Sequence, residues 1–209
     1  MSVNATATGS SHDRILGAAK RLFAQNGYEH TSTVAIAREA GTSESQLMKH
    51  FGNKQGLLTA VLERGWNAVS ERCSRINSSS PAERLLAVLM AITIEFEQDR
   101  DFKILAALEA RRVRKDSAQV VLTRGWRRFR ELLDRILLDM RAAGQLRPDI
   151  NLDAVRSAIV GMAEGMWRDQ VVATRSELRA DFGFDDVQKV LEILIGAFQE
   201  PTNRRAIAS

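Results

Sequence analysis

One cysteine, three prolines and one tyrosine occur in 209 residues. A lone thiol excludes an intrachain disulfide framework and a cysteine zinc cluster, and sparing cysteine suits a reducing compartment. Cys73 therefore reads as a small buried hydrophobe rather than a redox sensor. So few prolines and tyrosines give little sign of an all-β chain. The longest nearly apolar run, Leu85 to Ile94, has ten residues, and a bilayer span needs about 20. The opening MSVNATATGS has no basic segment followed by an apolar one, so no signal peptide is expected. Residues 1–10 and 201–209 read as flexible tails on a cytoplasmic chain with no membrane partner. Catalytic signatures are missing too: there is no Gly-x-Ser-x-Gly, phosphate loop or His-Glu-x-x-His. The three histidines, His12, His30 and His50, all fall in the first 50 residues. Neither an enzyme nor a resident cofactor or metal is expected.

What is present is helical. Hydrophobic residues make up 44% and charged residues 27%, and Leu, Ala, Arg and Glu dominate. Ile15, Leu16, Ala18, Ala19, Leu22 and Phe23 recur on one helix face until Asn26-Gly27. A second helix is predicted over Thr33 to Ala40 with Ser32 as N-cap, ended by Gly41. Ser43-Glu44-Ser45-Gln46 forms a capping box that starts a short helix closed by Gly52. Asn53 caps a fourth, with Leu57, Leu58, Val61, Leu62, Trp66 and Val69 on its apolar face. Ser80-Pro81-Ala82-Glu83 opens a fifth, to about Gln98. A sixth covers Phe102 to Val113 and a seventh Ser117 to Ala143. The eighth starts near Leu152 and the ninth after Asp185. No strand pattern or repeat is found.

The third helix is oddly polar. Ile36, Ala37, Ala40, Leu47 and Phe51 can pack inward, while Glu44, Ser45, Gln46, Lys49 and His50 face out. A helix–turn–helix lays such a second helix in the DNA major groove, where base edges offer donors and acceptors. The formal net charge is +4. Up to residue 55, six basic residues oppose four acidic ones. This mildly basic head implies modest non-specific DNA binding.

The segments RILGAAKRLFAQNGYEHTS, IAREAGTSESQLMKHF and NKQGLLTAVL resemble the DNA-binding region of TetR-family transcriptional regulators, in order and spacing. The resemblance implies an all-α fold of about nine helices. An N-terminal three-helix helix-turn-helix DNA-binding head, residues 11–55, joins a larger helical ligand-binding and dimerisation body, residues 56–200. It also implies a repressor that binds a palindromic operator in double-stranded DNA as a homodimer. Helices eight and nine would pair with their copies, with Gly161, Ala163, Gly165, Gly196 and Ala197 allowing close approach. A small-molecule effector in the body would release the operator. The alternative is a helical small-molecule-binding or scaffold protein with no DNA role. Four positions depart from the family pattern: Thr33, Ser45, Gln46 and Met48. Met48 stands where a tyrosine is usual and has no hydroxyl for a phosphate.

On this resemblance the DNA-contacting residues are Thr31, Ser32, Arg38, Ser43, Glu44, Ser45, Gln46, Lys49, His50 and Lys54. Gln46 can bond adenine in two places or serve only the capping box. Glu44 can accept from cytosine or simply favour the helix dipole. Lys49, His50 and Lys54 should lie near phosphates, and Thr31 and Ser32 can donate hydroxyls across the groove. Arg38 is a phosphate contact or a solvated residue. For the effector pocket the candidates are Trp66, Phe96, Phe102, Leu105, Glu109, Trp126, Met162, Met166 and Trp167, each of which could equally be core. The basic runs Arg111 to Lys115 and Arg124 to Arg130 read as a solvated face.

Overall fold

In the computed structural model, residues 10–108 and 123–200 are described. Among them nine helices follow in order: α1 (Ser11–Asn26), α2 (Thr33–Glu39), α3 (Glu44–Phe51), α4 (Lys54–Ser74), α5 (Pro81–Gln98), α6 (Arg100–Leu108), α7 (Arg124–Ala142), α8 (Leu152–Ala173) and α9 (Phe184–Phe198). The only extended pairing among the described residues is a single bridge between Leu146 and Gln199. No helix described is long and apolar enough to cross a membrane.

The predicted starts hold where a side chain can satisfy the free amides of the first turn. Ser32, Ser43, Asn53 and Asn151 each accept from the amide three residues on. Three details differ. Ser10, expected in the tail, caps α1 by accepting from the Asp13 amide. Ser80 makes no cap bond of its own; Gln145 does the work, its Oε1 accepting from the Ala82 amide while its Nε2 donates to Ser80 Oγ. Thr123, expected inside a helix from Ser117, is extended and caps α7 at Arg124. Its hydroxyl accepts from the Trp126 amide at 3.1 Å, which ends any continuous helix through that point.

The head is built on Ile15, Ala18, Ala19, Phe23, Ile36, Ala37, Ala40 and Leu47, all buried. Leu47 is the one fully buried residue of α3, and its burial is worth roughly 1.5–3 kcal/mol. Gly41 makes the turn between α2 and α3 at φ +62°, a conformation cheap only for glycine. Helix α1 is not confined to the head. It packs on α4 and α6 as well as on α2 and α3. Asp13 pairs with Arg64 of α4 at 2.8 Å and Lys20 with Asp99, just before α6, at 2.6 Å. Arg175, after α8, donates to the Ala24 carbonyl. The head therefore borrows its foundation from the body, as expected of about 40 residues that bury too little surface alone.

The body wraps α4. Gly65 lets the Phe102 ring lie against α4: a Cβ there would stand 2.2 Å from that ring. Gly125 does the same for α7, where a Cβ would meet the Asn67 amide nitrogen at 2.6 Å. Trp66, between these two approaches, has ring contacts with Phe96, Phe102, Trp126 and Phe129 at centroid distances of 4.6–6.1 Å. Cys73 is fully buried in this body. Burial, with Glu95 nearby, pushes its thiol up to about 12.

Candidate nucleic-acid interface

Helix α3 is anchored by buried Leu47 and half-buried Phe51, capped by Ser43 and tied to α2 by one polar bond. Ser43 Oγ accepts from the Gln46 amide at 3.2 Å. Glu44 accepts from the Thr33 hydroxyl at the start of α2, so the openings of α2 and α3 are tied side to side. The departure at Thr33 thus has a structural use. The reciprocal half of the capping box is absent: the Gln46 side chain is exposed and makes no hydrogen bond among the described residues. Of the two roles open to it in the sequence, the capping one is not taken up.

The remaining expected contacts fall into two groups. Ser45, Lys49 and Arg38 are exposed with no recorded partner. Ser32 is exposed, and its oxygen accepts from the Ala35 amide at 3.1 Å; its proton is still available to a phosphate. Two of the expected contacts, His50 and Lys54, are braced. His50 Nε2 lies 3.0 Å from Ser11 Oγ, beside His12, whose ring stacks on Phe51 at 4.9 Å. Lys54 donates to the Glu29 carbonyl at 3.3 Å and sits 4.4 Å from the Tyr28 ring centre. Both stay at the edge of the α3 face.

Thr31 is a correction. It is buried, and its hydroxyl donates to the carbonyls of Leu22 and Gly27 at 3.1 and 2.8 Å. That proton ties the α1–α2 turn to α1 and is not free for a phosphate. Val34 was not anticipated as a surface feature, and Met48 was weighed only for the hydroxyl it lacks. They are 58% and 40% exposed, and no other large hydrophobic residue of the head is so open.

In the body, a cavity of about 300 Å³ is lined by Trp66, Phe96, Ala106, Ala107, Leu108, Glu164, Trp167 and Arg168. Of the residues named from the sequence, Trp66, Phe96 and Trp167 line this cavity. Phe102 and Leu105 do not: they are buried on the inner side of α6, Phe102 against Gly65 and Trp66. Met162 and Met166 are half-buried against the core and line no wall of the cavity. Trp126 lines an adjoining recess of about 200 Å³ with Arg130, Arg156 and Glu164. Glu109 lies outside the described residues, as does the run Arg111 to Lys115. Arg127, Arg128 and Arg130 are exposed, as a solvated face requires. Glu164 and Arg168 were missed; the signal was a single acid inside GMAEGMW, a stretch otherwise without charge. Phe96 meets Trp167 edge to face at 4.8 Å, and the buried Trp167 indole nitrogen has no hydrogen-bond partner among the described residues. Arg156, although its burial opposes the charge, has its pKa raised by bonds to Asp134 and Asp153.

A three-helix head with one polar, braced outward face, set on a helical body, is the arrangement of a helix-turn-helix DNA-binding regulator. Residues 15–61 match the sequence model of the bacterial regulatory proteins of the tetR family. The transcriptional repressor KstR2 of Mycolicibacterium smegmatis is 30% identical over 150 residues, 70% of this chain and 72% of that one. The transcriptional regulator HbdR of Aromatoleum is 28% identical over 137 residues, 65% of this chain and 59% of that protein. The fold is shared with the transcriptional regulator FadR from Bacillus subtilis, solved in complex with stearoyl-CoA. That match has a TM-score of 0.78 and 21% identity, covering 88% of this chain and 97% of that one. The chain belongs to the TetR family and is a DNA-binding transcriptional regulator.

Proposed function

We propose that the protein represses transcription by binding a palindromic operator as a homodimer and leaves it when a small molecule enters the body. The observation that carries this reading is the α3 face, where Ser45, Gln46 and Lys49 stand exposed and unpaired on a helix fixed by Leu47, Ser43 and Thr33. A rigid polar rod loses little freedom on entering a groove. In this reading residues 11–55 carry the DNA contacts and residues 56–200 the ligand and dimer contacts. Gln46 and Glu44 face bases; Ser32, Arg38, Lys49, His50 and Lys54 face phosphates.

A single short helix reads too few base pairs, so two-fold pairing is needed. Exposed Phe184, Val190 and Ile193 on α9 support pairing there. So do Gly161 and Gly165 of α8 and Gly196 of α9, where an added Cβ would meet open space. Ala163 belongs instead to the core. The 300 Å³ cavity supports an effector with a largely apolar body and a polar end, the latter toward Glu164 and Arg168. A relative of this chain is the fatty acid metabolism regulator of Bacillus subtilis, 24% identical over 152 residues, and long-chain acyl thioesters are therefore the first effectors to try.

The test is an operator titration across salt concentrations, with and without acyl thioesters. Affinity should fall steeply with salt, and an effector should weaken binding without unfolding the protein. Salt-independent binding, or no binding to any duplex, would remove the DNA role.

A further inference from the structure

The head exposes two large hydrophobic residues, one in the first turn of α2 and one on the reading helix α3. Val34 directly follows Thr33 on α2, and Thr33 bonds Glu44. Met48 follows Glu44 by four residues, which places it on the same edge of α3. Each of the two helices joined by that bond thus carries one exposed apolar residue within a turn of it. Neither has a core role: Val34 is 58% and Met48 40% exposed. Elsewhere the exposed part of this surface is polar, made of Ser32, Arg38, Ser45, Gln46 and Lys49. In a major groove the one apolar feature on a base edge is the thymine 5-methyl group. An exposed hydrophobe at such an interface gains affinity by covering that group.

Given the operator role proposed above, on which this rests, we propose that Val34 and Met48 read thymine methyl groups in each half-site. The departure from a phosphate-binding side chain at Met48 then exchanges a backbone contact for a sequence-reading one. Gln46, on the same helix, can take the adenine of a neighbouring or the same T·A pair, so T·A-rich half-sites are expected under the start of α3.

The experiment uses the full-length protein and an operator selected from a random library. Each thymine is replaced singly by 2′-deoxyuridine, which keeps every hydrogen-bonding group and removes only the methyl. One or two positions per half-site should bind about fourfold more weakly, the value of one buried methyl-sized group. Val34→Ala should abolish the loss at one of them and Met48→Ala at another. Both changes are exposed and replace a helix residue by alanine, so the fold should stand, with circular dichroism as the check. Uracil tolerated at every position, or a thymine preference unchanged in both variants, overturns the inference while operator binding survives. Failure to select any sequence overturns the operator reading and this one together.

Discussion

Gln46→Ala, set beside Ser43→Ala, separates reading from bracing on the same helix. Ser43 Oγ holds the Gln46 amide at 3.2 Å, so Ser43→Ala removes the α3 cap and should cost about 1 kcal/mol of stability. For a chain of this size that is a fall of roughly 2–4 °C in Tm. The Gln46 side chain is exposed and unbonded. Alanine in its place loses no hydrogen bond and gains a few tenths of a kcal/mol in helix propensity, so Tm should hold or rise slightly. Operator affinity should respond differently. Gln46→Ala should lose about 1–3 kcal/mol at one matched base pair, roughly fivefold to 150-fold, and relax preference there alone. Ser43→Ala should weaken all sequences by a similar small factor. Thermal unfolding and fluorescence anisotropy on a panel of singly altered operators give both readouts. An equal Tm loss in the two variants, or a Gln46→Ala penalty uniform across the panel, would refute the division of roles.

Thr31→Val should destabilise by roughly 1–2 kcal/mol, because the Leu22 and Gly27 carbonyls lose their donor; with the protein still folded, the salt slope of DNA binding should not change. Lys49→Ala should do the converse, leaving Tm unaltered and reducing that slope by about one. Glycine to alanine inside a helix ordinarily gains about 1 kcal/mol, yet Gly65→Ala should lose stability, since its Cβ would lie 2.2 Å from Phe102. Phe102→Leu in the same chain should restore part of the loss in a double-mutant unfolding cycle. Cys73, buried with its thiol raised from 9.0 to about 12, favours the protonated folded state. Its stabilising effect is complete below pH 9 and is lost as pH climbs toward 12, by at most about 1.4 kcal/mol per pH unit. Wild type should therefore lose stability faster than Cys73→Ala across that window, and the native thiol should resist maleimide at pH 8.

Most of the architecture could be read from local chemistry. Ser32, Ser43 and Asn53 announce helix starts because a cap needs only its own next turn. Ser80 and Pro81 marked the start of α5, although the bond to the Ala82 amide comes from distant Gln145, and the helix expected from Ser117 gave no sign of the extended Thr123. The reading helix was legible as a polar face with a single buried anchor. Thr31 was misjudged because a hydroxyl beside a cap looks the same whether it faces solvent or a carbonyl of the preceding helix. The cavity was half legible. Trp66, Phe96 and Trp167 are bulky on apolar faces, but so are Phe102 and Leu105; which side of α6 faces the void depends on the Gly65 approach, a tertiary fact. Glu164 and Arg168 were missed because only the apolar residues of α8, Met162, Met166 and Trp167, were weighed for the cavity.

The central claim is that two copies of the α3 face read one duplex. Selection of a random double-stranded library by the purified full-length protein, followed by sequencing, tests it most directly. The account predicts an enriched site of two inverted half-sites, spaced by about one helical turn or a small multiple of it. Enrichment of a single unpaired half-site, or of nothing beyond the starting pool, would contradict it.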